Sequence, residues 1–312
     1  MNIGAIKCSA GLNLGNNFIN AGGKYVMKTM FPNANREYFE FFDSCLPQWK
    51  SGVGILTPST IDHIKNTIDT PLIVFAGSAG GDTMYHHFFK PLNDVGIPFI
   101  PVGIGCEGAY ESTDRRAINA IWNLPYCVKM VTRDPKTYDM IEGNKDDVMS
   151  GIDLAFFAKH HYGDVKEQSD FRYAVVNYEP YGSLVLDIAF QLEAQLRDQF
   201  DAVYFTENTV QPSRNDIPNY VQIGYDKDLW RFYANASLVV TTRIHSCVCS
   251  VSNEVDFVYL GKHDVGGDKG RNTLFNSFGI TLELNTLYES SKYQEQIEDR
   301  KSQYLHDLEV FL

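Results

Sequence analysis

Two side chains separated by a single isoleucine, Arg243 and His245, stand directly after the apolar run 237–241 (SLVVT). If that run is a strand, the turn that follows presents both side by side at its carboxyl end. Arginine offers a planar fork of donors for a carboxylate or a phosphate. Histidine takes up or gives away a proton near neutral pH. After the next apolar run come Gly261, Lys262 and His263, then Gly266, Gly267, Lys269, Gly270 and Arg271. A glycine-rich loop carrying Lys269 and Arg271 suits an anionic ligand. Residues 241–272 hold four Lys or Arg and four Asp or Glu, so this stretch is neutral within a chain of net charge −12. The competing reading makes Arg243 one half of a salt bridge and His245 a core residue.

The first half carries its own candidates, again just after apolar runs. Residues 77–82 (GSAGGD) follow 72–76 (LIVFA). Gly77, Gly80 and Gly81 leave a backbone that a ligand can approach closely. The stretch lacks a P-loop lysine and does not have the glycine spacing of a dinucleotide fingerprint. Asp82 either caps the next helix or offers a carboxylate that takes a proton from a hydroxyl. Gly103, Gly105 and Gly108 repeat the arrangement after 97–104 (IPFIPVGI). Arg133 and Asp134 follow 127–132 (CVKMVT). There Arg133 leans into a cleft or pairs with its neighbour, while Asp134 caps a helix starting at Pro135. Asn13 to Asn17 (NLGNN) follows the opening IGAIKCSAG. Gly15 permits a tight turn, and Asn13, Asn16 and Asn17 meet a polar ligand or simply build a loop and helix cap.

The elements that must position these residues alternate short continuous apolar runs with helical stretches. Such runs suit strands buried on both faces of a parallel sheet. The repeated strand–turn–helix order predicts a doubly wound α/β domain. A polar stretch, 160–171, interrupts it. The pattern then resumes with strands at 173–177, 202–206, 220–223, 237–241 and 256–260 and helices near 183–199 and 226–235. In 289–312, Tyr293, Ile297, Tyr304, Leu308 and Phe311 recur at helical spacing, which predicts an amphipathic helix docked on its own protein. The expected division is 1–165, 166–288 and 289–312, with the last helix packing back on the first domain. Ligands of open parallel sheets bind beyond the carboxyl ends of the strands, where the candidate residues lie.

Composition removes several classes. Twenty-seven Lys and Arg against 39 Asp and Glu leave no general footprint for nucleic acid or an anionic membrane. No run approaches the roughly 18 apolar residues of a membrane span. The opening residues do not form a secretory signal. Cys8, Cys45, Cys106, Cys127, Cys247 and Cys249 are irregularly spaced and read as reduced thiols of a cytoplasmic protein. Cys247 and Cys249 are small core residues, on one face if their segment is a strand. A metal site there would need further ligands at suitable spacing.

Together these features resemble the polysaccharide pyruvyl transferase family over most of the chain. The resemblance is carried by the N-x-G loop (Asn13, Gly15), the strand before GSAGGD, the strand PFIPVGIG and the strand ending in Arg133 and Asp134. It continues through Gly151-Ile152-Asp153 before AFF. Its most specific element is the strand followed by R-x-H at Arg243 and His245. Two departures, Asn16 where an acid is common and GSAGG in place of an uninterrupted glycine triplet, fall in the half the family uses for its acceptor. The resemblance implies an α/β fold of two Rossmann-like domains facing across a cleft, as in GT-B glycosyltransferases. It implies phosphoenolpyruvate as donor substrate, a saccharide acceptor (free or lipid-linked), and neither cofactor nor metal. Arg243, Lys269, Arg271 and Arg133 would hold the donor. His245 would bind phosphate or act as acid, and Asp82 as base. Asn13, Gly15, Asn16, Asn17, Gly80 and Gly81 would meet the acceptor. Two other readings use the same residues: a nucleotide-sugar glycosyltransferase, with Glu254 or Asp256 on a ribose, and a non-catalytic sugar- or phosphate-binding protein. Oligomeric state is open.

Overall fold

The computed structural model describes residues 1–8, 14–39, 58–77, 85–106, 111–178, 183–208, 217, 219–261 and 272–312. Its first sheet is built from β1 (Asn2–Ile6), β2 (Asn35–Phe39), β3 (Leu72–Phe75), β4 (Phe99–Ile104), β5 (Met130–Thr132) and β6 (Val148–Ser150), in the order β2-β1-β3-β4-β5-β6. Every neighbouring pair is parallel. All of β3 and β4 is buried, as continuous apolar runs require. The connections carry α1 (Gly15–Met30), α2 (Pro58–Thr67), a π turn (Tyr85–Phe89) leading into α3 (Lys90–Asp94), α4 (Glu111–Trp122) and α5 (Pro135–Asp139). After β6 a 3-10 turn (Leu154–Phe157) leads into α6 (Ala158–Tyr162).

The second sheet contains β7 (Tyr173–Asn177), β8 (Ala202–Thr206), β9 (Leu238–Thr241), β10 (Asp256–Tyr259) and β11 (Leu287–Tyr288), ordered β11-β10-β9-β7-β8. Only β11 runs antiparallel to its neighbour. Its helices are α7 (Ser183–Leu196), α8 (Asp226–Ala234) and α9 (Ile244–Ser252). Counted from its own first strand, this sheet repeats the 2-1-3-4-5 order that opens the first. Both are Rossmann-like units, and both reverse winding between their first and third strands. That crevice is where open α/β sheets take ligands. It lies between β1 and β3 in one unit and between β7 and β9 in the other.

The units share one core. Leu14 and Phe18 at the start of α1 belong to the same apolar cluster as Trp230 and Tyr233 of α8 and Cys247 and Val251 of α9. Phe18 meets Trp230 edge-on at 5.0 Å. The Leu14 N–H donates to the Asn208 carbonyl at 3.0 Å, joining the residue before α1 to the chain just past β8. Helix α1 also packs backbone against backbone on the 3-10 turn, since a Cβ at Gly22 would stand 1.7 Å from the Leu154 carbonyl oxygen. The last helix, α10 (Gln294–Phe311), buries Ile297, Tyr304 and Leu308. Tyr304 lies 5.7 Å from Phe157, Lys129 donates to the Phe311 carbonyl, and Gln294 donates to Val251 O at 2.6 Å.

Two expectations are corrected. Residues 220–223 are not a strand: Tyr220 makes only an isolated bridge to Phe205, and the preceding Asn219 has φ 55, which breaks an extended run. The segment with Cys247 and Cys249 is helical, so residues two apart point to different sides. Both are still buried, because the whole of α9 after its first turn is enclosed. The five described cysteines are free thiols. Among the described residues no helix is long and apolar enough to cross a membrane.

Candidate functional site

Strand β9 ends at Thr241, and Arg243 takes the N-cap position of α9 in extended conformation (φ −107, ψ 120). His245 falls in the first turn, beside the winding reversal of the second sheet. The turn rests on buried amides and hydroxyls. The Arg243 N–H donates to Thr241 Oγ1 at 2.8 Å, and the Thr241 hydroxyl donates to Asn177 Oδ1 at 2.8 Å. Asn177 Nδ2 donates to Asn208 Oδ1 at 3.0 Å, and Asn208 Nδ2 donates to Ser246 Oγ at 3.0 Å. The Tyr233 hydroxyl closes the set on Asn208 Oδ1 at 2.5 Å. Burial pushes the Tyr233 phenol well above its ordinary range, so it stays a donor. A satisfied buried network of this kind fixes one geometry. Here it ties the ends of β7, β8 and β9 to the residue after His245.

His245 itself crosses to the other unit. Its Nε2 lies 3.6 Å from Oδ2 of Asp153, with side-chain exposures of 12% and 1%. Asp153 follows β6 and caps the 3-10 turn, Oδ1 accepting the Ala155 N–H at 2.9 Å. Burial alone would raise the Asp153 carboxyl. The contact with His245, the Arg133 charge and the Ala155 amide outweigh burial and hold it below the ordinary range. Neither Asp153 Oδ2 nor His245 Nε2 has a hydrogen-bond partner among the described residues, and the same holds for the buried Tyr304 hydroxyl.

Arg133 pairs with its neighbour instead of reaching outward. It is 3% exposed, with Nε 3.4 Å from Asp134 Oδ2 and Nη2 donating to the Cys106 carbonyl at 2.7 Å. Its side chain fills the space a Cβ would need at Gly105, which would stand 1.8 Å from Nε. Asp134 caps α5 through the Thr137 N–H at 2.8 Å, with Pro135 at the first position. Burial, with Asp114 alongside, pushes the Cys106 thiol up to about 12, so it is no nucleophile. Gly105 N–H donates to Gly77 O at 2.9 Å, setting the starts of the two glycine-rich turns side by side.

Gly15, Asn16 and Asn17 form the first turn of α1, where Asn17 Oδ1 accepts from Asn20 Nδ2 at 3.4 Å. Asn13, Gly80, Gly81, Asp82, Gly108, Lys269 and Arg271 lie outside the described residues. Sequence reading missed the role of Asp153, although Gly151-Ile152-Asp153 was visible as a motif. It also missed Asn177 and Asn208, whose only signal was a polar residue ending or following an apolar run. Among the described residues no group of three or more His, Cys, Asp or Glu side chains could hold a metal ion.

Comparison with known proteins adds a family and a fold. The family described as Polysaccharide pyruvyl transferase matches residues 13–264, a span that includes both Asp153 and the R-x-H turn. No curated protein matches the chain. Similar solved structures include the UDP-GlcNAc 2-epimerase from Neisseria meningitidis bound to UDP-GlcNAc, with TM-score 0.57 and 10% identity over 100% of this chain and 93% of that one. The Methanocaldococcus jannaschii UDP-GlcNAc 2-epimerase in complex with UDP-GlcNAc and UDP gives TM-score 0.56 and 10% identity over 98% and 99%. An S. aureus MnaA–UDP co-structure gives 0.57 and 12% over 97% and 90%. At these identities the likeness is one of fold: two Rossmann-like domains arranged as in GT-B enzymes.

Proposed function

The chain belongs to the polysaccharide pyruvyl transferase family, and from that premise we propose that it moves pyruvate from phosphoenolpyruvate to two hydroxyls of a saccharide as a ketal. One observation carries the reading: the R-x-H turn stands where the second sheet reverses its winding, at the amino end of a nine-residue helix. Helix N-termini favour anions, and the donor offers both a carboxylate and a phosphate. The amide network beneath the turn means that little ordering is left to be done on binding.

The reaction requires a proton on the donor methylene, which becomes the methyl group. The cationic carbon so formed is attacked by one hydroxyl and then, as the carbon–oxygen bond to phosphate breaks, by the second. The two hydroxyl protons balance the one gained by the methyl group and the one carried off by phosphate. In this scheme Arg243, Lys269 and Arg271 hold the donor. His245 binds phosphate or supplies the proton, and Asp82 takes a proton from the acceptor. Asn13, Gly15, Asn16, Asn17, Gly80 and Gly81 form the acceptor side. Arg133 acts there indirectly, by fixing the turn at Gly105 and Cys106. The chemistry calls for no metal or cofactor, and a donor of this kind fits a cytoplasmic enzyme acting on free or lipid-linked saccharides.

Arg243→Ala is expected to lose phosphoenolpyruvate binding while keeping its fold. Calorimetry finding the wild-type affinity in that variant removes Arg243 from the donor site. A second reading draws on the nucleotide-bound neighbours: a nucleotide-sugar enzyme on the same frame. Thermal-shift measurements with phosphoenolpyruvate against UDP-sugars separate the two.

A further inference from the structure

We propose that Asp153 is a positioning residue for His245: a carboxylate on the first α/β unit turns Nε2 of the second unit's imidazole toward itself and so reserves Nδ1 for the donor. This rests on the donor site proposed above.

The two oxygens of Asp153 have divided tasks. Oδ1 is committed to the Ala155 N–H at 2.9 Å, which fixes the plane of the carboxyl. Oδ2 has His245 Nε2 at 3.6 Å and no hydrogen-bond partner among the described residues. With Asp153 1% exposed, water is a poor competitor for that oxygen. Both sides of the contact are rigid. Asp153 starts the turn that α1 packs against at Gly22. His245 precedes Ser246, which Asn208 holds at 3.0 Å.

The surroundings keep the carboxyl charged. Arg133 faces it from the end of β5 and His245 from α9. Tyr304 faces it from α10, close enough to feel its charge and itself under the influence of Arg300. The Tyr304 ring packs against Gly151, where a Cβ would stand 2.9 Å from it. A fixed negative charge this near a ring nitrogen favours the tautomer that carries its N–H on that nitrogen. A ring whose Nε2 faces Asp153 at 3.6 Å leaves Nδ1 for a phosphate oxygen or for proton delivery. An ion pair that merely held the two units together would not govern which ring nitrogen serves the donor.

The test is Asp153→Asn, which keeps the capping oxygen, studied on the full chain by NMR of the His245 ring nitrogens alongside calorimetry with phosphoenolpyruvate. Removing the charge is expected to redistribute the ring proton between Nε2 and Nδ1, read as opposite changes in the two ring-nitrogen chemical shifts. Ring-nitrogen shifts that are identical in both proteins at the same pH overturn the proposal, whatever the donor does. If the ring responds but the wild-type protein does not bind phosphoenolpyruvate, the pairing stands and the donor reading falls. Asp153→Ser retains a cap without the charge and gives the same comparison should the asparagine variant not fold.

Discussion

Burial would raise the Asp153 carboxyl, but the contact with His245, the Arg133 charge and the Ala155 amide outweigh it and hold the carboxyl low. Its folded-state value therefore lies below the ordinary ~3.9 of an unfolded chain. The sign follows: stability from this group is fully present above the unfolded value and is lost as pH falls through the folded one. The acid limb of wild-type stability, followed by denaturant unfolding from about pH 5 downward, is expected to be steeper than that of Asp153→Asn. Equal limbs would mean that the carboxyl is not held in this way. At this scale the sequence was half legible. Arg133 and Asp134 are neighbours, so their pairing could be written down as an alternative from the sequence alone. His245 and Asp153 come from different units, and nothing local in either segment announces the other.

Helices and strands were more legible than side-chain partners. Continuous apolar runs mark β3, β4, β7 and β9 because both faces of those strands are largely covered, while β8 and β10 are apolar runs in which buried and half-buried residues alternate. β2 (NREYF) escaped because an edge strand is half exposed and can be polar. The false strand at 220–223 fails for a related reason: an apolar run can pair with an edge for only a residue or two before the chain turns. Helix α1 carries a different kind of message. Ala21-Gly22-Gly23 reads as a weak helix on propensity, yet glycine is required for contact. A Cβ at Gly22 would press on the Leu154 carbonyl, and one at Gly23 would stand 2.7 Å from the Phe75 ring. Gly22→Ala is expected to cost about 1–3 kcal/mol through overpacking, outweighing the gain in propensity, and denaturant titration reads it. A stabilised variant would show that α1 can back away from Asp153's turn.

The two winding reversals, the shared core and the helix α10 that touches both units make the molecule one structure with two sheets. Their GT-B-like pairing could be expected from the order of motifs, but the depth of the junction could not. Apolar residues of α1 look like ordinary core whichever sheet they serve. Because Leu14, Phe18, Trp230 and Cys247 share one cluster, calorimetric melting of the full chain is expected to show a single transition. Two resolved transitions would mean that the junction contributes little. The bond from Leu14 N–H to the Asn208 carbonyl has a mechanical consequence. Asn208 is also the rung on which Ser246 hangs, so a ligand that displaced Leu14 would pull on the turn that carries Arg243. If the two substrates of the proposed reaction bind on either side of that bond, thermodynamic reciprocity requires that each change the affinity of the other by the same factor. One peptide hydrogen would then couple the two proposed sites.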